Sequence, residues 1–141
     1  MPQKFLTGLK AVVVLGGSKK QEKTSNSLFA YGTYTSGVIF LHPFPKRFLD
    51  QIRKGLPKPS SLHEYERAGA KINRDGKYWR MQFDEISVKQ FYLREVLLHE
   101  LGHHMDSKNR QFKTGRKAEG FADWFASECA YKLRVRERRQ E

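Results

Sequence analysis

The chain has 141 residues, 38% hydrophobic and 13% aromatic, which is enough apolar material for one core and too much for a disordered chain. Its 27 Lys and Arg against 15 Asp and Glu give a formal charge of +12, which suits an anionic partner such as a nucleic acid, an acidic protein or a membrane surface. No apolar run approaches the roughly 20 residues that cross a bilayer, and the lone Cys129 cannot form an internal disulfide, which fits a reducing, cytoplasmic setting.

In chain order, Leu9 to Leu15 (LKAVVVL) is β-branched and closed by Gly16-Gly17, which predicts a buried strand. It does not read as a secretory signal, because Lys10 abuts a short apolar core and no small-x-small cleavage site follows. Residues 18–27 (SKKQEKTSNS) are polar and aperiodic and predict a mobile basic loop. Leu28 to Tyr34 and Val38 to His42 predict two strands separated by a TSG turn, with Pro43 and Pro45 ending the second. Tyr34 and the SGVIFLH run are candidates for an edge strand facing a substrate, with an ordinary sheet strand as the alternative. Lys46 to Arg53 predicts a short helix after Pro45. A connection follows, with a helical turn near Ser61 to Ala68, and then AKINRDGKYWRMQF alternates around Asp75-Gly76 as a hairpin.

The second half changes to helical period. Ser87 to Gln90 (SVKQ) has the form of a capping box, and Val88, Phe91, Tyr92, Val96, Leu97, Leu98 and Leu101 then cover most of a helix circumference. A polar loop (DSKNRQFKTG) leads to a last helix, about Arg116 to Arg136, with residues 134–141 as a basic tail. On that helix Ala118, Ala122, Ala126 and Ala130 form a row four apart that lets another helix approach closely. Cys129 reads as a small buried residue, and Trp79 and Trp124 as core. The two basic runs read first as solvated surface, with a binding patch as the alternative.

The chemistry concentrates in REVLLHELGHHMD (94–106), which puts ionisable groups where a core is expected. His99 and His103, four apart on a helix, share a face about 6 Å apart along the axis and can bind one tetrahedral metal. Glu100 lies on the neighbouring face, where it can reach a metal-bound water as general base. Two imidazoles leave zinc short of a protein ligand, and KAEGFADWFA supplies Glu119 as a third. Asp123, one turn later, can accept the free N–H of a ligating imidazole and fix its tautomer. Gly102, costly inside a helix, fits the close packing that a shared metal requires. Asp106 is the rival third ligand. His104 faces away from the His99–His103 side and reads as surface or a support to the site, and His42 and His63 read as ordinary residues.

HELGH followed by EGFAD resembles the zincin metallopeptidases, specifically the gluzincin branch, over residues 96–130. The resemblance implies one zinc ion held by His99, His103 and Glu119, with Glu100 as base and then acid. It also implies a mixed sheet whose edge strand lies above the site and holds an extended peptide. By size the nearest relatives would be minimal single-domain gluzincins. Two features depart from the pattern: only 15 residues separate His103 from Glu119, and the second electrophile has no assigned position, with His104, Tyr131 and Arg116 as candidates.

The expectation is therefore one α+β, zincin-like domain over residues 1–141. It has an N-terminal mixed or antiparallel sheet, an HExxH helix and a C-terminal Glu-bearing helix. The expected function is zinc-dependent hydrolysis of peptide bonds in a peptide or protein substrate. The alternative is a basic module that binds nucleic acid or an acidic partner around a structural or vestigial zinc site, or a protease recruited to nucleic-acid-bound proteins.

Overall fold

The computed structural model describes residues 3–16, 30–109 and 115–139, and the expected basic loop at 18–27 lies outside them. The fold is α+β, with two small sheets and four α-helices among the described residues. The first sheet holds β1 (Ala11–Val14), β2 (Gly32–Thr35) and β3 (Val38–Leu41) in the order β1-β3-β2. β1 runs parallel to β3, and β2 runs antiparallel to it, with Tyr34 opposite Ile39. The turn from β2 to β3 uses Ser36 and Gly37, both at positive φ, and that backbone suits a two-residue hairpin.

This order corrects two expectations. The VIFL strand is central and β2 is the edge, so of the two candidate segments only the one bearing Tyr34 lies at a sheet border. β1 is a strand, but an exposed border rather than a buried one, with Val14 78% accessible.

The second sheet is antiparallel, in the order β4-β6-β5: β4 (Asp50–Arg53), β5 (Lys71–Asp75) and β6 (Tyr78–Gln82). The predicted helix at 46–53 is instead one 3-10 turn, Lys46–Phe48, followed by β4, whose backbone pairs with β6. The β5–β6 turn falls on Gly76-Lys77, one residue later than read from the sequence, because Asp75 pairs with Tyr78. Helix α1 (Pro59–Ala68) begins with proline at its first position and ends on Gly69 in the left-handed conformation.

Helix α2 (Glu85–Phe91) is capped by Asp84 rather than Ser87. The Asp84 carboxylate accepts the Ser87 amide at 2.7 Å, and the Ser87 hydroxyl accepts the Asp84 amide at 2.8 Å. A π-helical turn, Tyr92–Val96, joins α2 to α3 (Leu97–Asn109). α4 (Gly115–Arg138) then packs along α3 and carries the chain through much of the expected basic tail. No described helix is long and apolar enough to cross a membrane.

The core lies between the first sheet and the α3–α4 pair. It is built from Ile39, Leu41, Phe91, Val96, Leu101 and Phe125. Rings extend it toward the second sheet: Tyr31 stands 5.0 Å from Phe91, and Phe44 5.1 Å from Phe83. The alanine row works as a contact strip. Ala122, Ala126 and Ala130 are buried, and a methyl group added at Gly102 would stand 2.6 Å from the Ala122 Cα. Not all the expected core is inside: Trp124 is 57% exposed, and Cys129 is only partly covered.

Candidate metal centre

The α3–α4 contact decides where the polar residues meet. With no Cβ at position 102, α4 comes close enough for its first turns to face the His99–His103 side of α3. The His99 and His103 Nε2 atoms lie 3.1 Å apart. One Glu119 oxygen stands 3.3 Å from His99 Nε2, and the other 3.3 Å from His103 Nε2. The three donor groups thus converge on one point, and together they could hold a metal ion. A tetrahedral zinc with bonds of about 2.0–2.1 Å sets its ligand atoms about 3.3 Å apart, so the two imidazole nitrogens and a carboxylate with an oxygen 3.3 Å from each suit such an ion.

Asp123, one turn beyond Glu119, has an oxygen 2.8 Å from His99 Nδ1. With Nδ1–H donating to that carboxylate, the Nε2 lone pair is left facing the triangle. Burial, and then the adjacent His99, hold His103 below the usual histidine range, so it is neutral near pH 7 and its nitrogen is free to bind. Glu100 is 7% exposed, and burial pushes its carboxyl above the ordinary range; Glu119 adds to this and His99 opposes it. Gly32 of β2 lies directly against Glu100: a Cβ there would stand 2.9 Å from its Cγ.

No protein-family model matches the chain, and no curated protein or solved structure matches it either.

The other named residues separate by position. Asp106 is buried and lines the same cleft, but it is not among the three converging donors. His104 does face away from the triangle, yet it is buried rather than on the surface. Its Nδ1 lies 3.1 Å from the Tyr34 hydroxyl and its Nε2 3.1 Å from the Thr7 carbonyl, so it ties α3 to the N-terminal segment and β2. With Tyr131 and Arg116, it does not line the cleft. His42 bonds Thr33 at 3.1 Å and accepts the Tyr92 hydroxyl on its carbonyl, and His63 is exposed beside Glu66.

The cleft around the triangle has a volume of about 1060 Å³ and is walled by β2, α1, the π-helical turn, α3 and α4. The wall also holds residues that the sequence reading gave no role, among them Glu64 and Arg67 on α1 and Glu95 in the π-helical turn. Arg67 holds Glu95 through two hydrogen bonds, Nε at 3.0 Å and Nη2 at 2.7 Å. The available signal was Glu95 itself, an acid four residues before His99 in an apolar stretch. Its partner comes from another element and has no spacing to betray it.

Proposed function

We propose that this chain is a zinc-dependent metallopeptidase of the zincin type, resembling minimal gluzincins, that holds one zinc through His99, His103 and Glu119. The observation that carries the reading is the convergence of three donor groups from two helices: the two Nε2 atoms lie 3.1 Å apart, and each stands 3.3 Å from a different Glu119 oxygen. A structural zinc site more often presents four Cys or His ligands, and three donors leave a fourth position for water. When bound, the ion supplies Lewis acidity, which polarises a carbonyl and lets a water ionise near neutral pH.

The chain's own residues do the rest. Glu100 takes a proton from the attacking water and hands it to the leaving nitrogen, and a buried carboxyl with a raised pKa suits that exchange. Asp123 holds the His99 ring in one tautomer. The side of β2 that no described strand pairs, pressed against Glu100 through Gly32, receives an extended peptide by main-chain hydrogen bonds.

The test combines metal content by mass spectrometry with casein digestion. The expected result is one zinc per chain in the wild type and in Glu100→Gln, with digestion by the wild type only. A Glu100→Gln variant that digests casein at the wild-type rate removes the assigned base.

A second reading is that the basic surface docks on nucleic acid. The observation in its favour is that Trp124 and Tyr131 stand 57% and 60% exposed, seven residues apart on the helix that ends in Arg134, Arg136 and Arg138.

A further inference from the structure

The cleft has a charge opposite to that of the chain around it. Among the described residues six carboxylates line it, from Glu64, Glu95, Glu100, Asp106, Glu119 and Asp123, against Lys58 and Arg67, in a protein with a formal charge of +12. Most of these acids already have work: Glu119 and Asp123 face the imidazoles, Glu100 abuts Gly32, and Glu95 neutralises Arg67.

Glu64 is different. Among the described residues its carboxylate takes no hydrogen bond and forms no ion pair, although it lines the cleft and is partly buried. Burial, then the fields of Glu95 and Asp123, push its carboxyl above the ordinary range, while Arg67 and His99 act the other way. It therefore lies within electrostatic reach of the metal centre, and among the described residues its carboxylate has no direct hydrogen-bond or ion-pair partner. A peptide extended along β2 would turn alternate side chains to opposite sides, and β2 and the α1 residue Glu64 line the same cleft.

We infer that the cleft selects peptides bearing a Lys or Arg side chain beside the bond to be cut, with Glu64 as the residue that receives the cation. This rests on the peptidase reading above. The cation supplies the direct partner that the Glu64 carboxylate lacks, and against a basic exterior an acidic cleft is a favourable place for such a side chain.

The experiment uses the zinc-loaded full chain and peptides blocked at both ends, paired so that members differ only by Lys or Gln at one position. Wild type is expected to favour the Lys member about tenfold in kcat/KM, as for a partly desolvated ion pair. Glu64→Gln should bring that ratio close to one, whereas Glu66→Gln, on the same helix but outside the cleft, should leave it unchanged. Anisotropy of the same labelled peptides on zinc-loaded Glu100→Gln, with and without Glu64→Gln, reads the preference whether or not a bond is cut. Equal binding of the Lys and Gln members, or a preference that survives Glu64→Gln, overturns the inference. Failure of every peptide to be cut, with the binding preference intact, overturns the peptidase reading instead.

Discussion

At Gly102 there is no room for a methyl group, and the cost can be read from its neighbour. A Cβ 2.6 Å from the Ala122 Cα meets backbone, which cannot swing aside, so Gly102→Ala must push α4 away from α3. Overpacking of this kind typically costs about 1–3 kcal/mol, and urea denaturation should show that loss together with weaker zinc retention. Gly32→Ala is a different case. Its Cβ meets Val96 Cγ1 and Glu100 Cγ at 2.8 and 2.9 Å, so the displacement falls on Glu100 itself, and the expected result is lost turnover with zinc retained, measured by metal content beside digestion rate. At this scale much of the candidate centre was legible in the sequence. The four-residue spacing of His99 and His103, and of Glu119 and Asp123, survives in any helix. Glu64 and Arg67 were not legible, since their proximity to the site depends on where α1 docks.

Elements were legible where one segment carries its own pattern and illegible where a partner decides. Helices α3 and α4 and the 71–82 hairpin follow local periodicity and turn chemistry. β4 does not: DQIR has no strand signature of its own, and its extended form comes from pairing with β6. The start of α2 shows two local patterns in competition. Both Asp84 with Ser87 and Ser87 with Gln90 have cap spacing, and the first prevails because it lets the helix begin three residues earlier. The Ser87 amide and hydroxyl hold the Asp84 carboxyl below its ordinary value of 3.8. A carboxyl depressed in the folded state contributes stability above its unfolded pKa and loses it as pH falls through the folded one. Asp84→Ala should therefore melt at a lower temperature than wild type at pH 7, and the two curves should converge as acidification passes below 3.8.

At the scale of the molecule, α3 and α4 are joined by a narrow apolar strip of glycine and alanine and by the donor triangle at one end of it. An ion bound there would tie the two rods together, so chelation should lower the melting temperature, and excess zinc should restore it by mass action. Calorimetry with and without a chelator checks this; an unchanged melting temperature would mean that no ion links the helices. The basic exterior has its own test. Titration of labelled DNA or RNA at increasing salt should show a steep loss of affinity if the aromatic and arginine face of α4 docks on phosphate, and no binding at moderate salt removes that role.

The wide turn at Tyr92–Val96 sets the phase of everything after it. A π turn takes up about one more residue than an α turn, so a chain that wound the same five residues as ordinary α-helix would swing the downstream imidazoles about a quarter-turn relative to Phe91 and Tyr92. Such a protein would keep every proposed zinc ligand in its list of residues and aim them at the wrong wall.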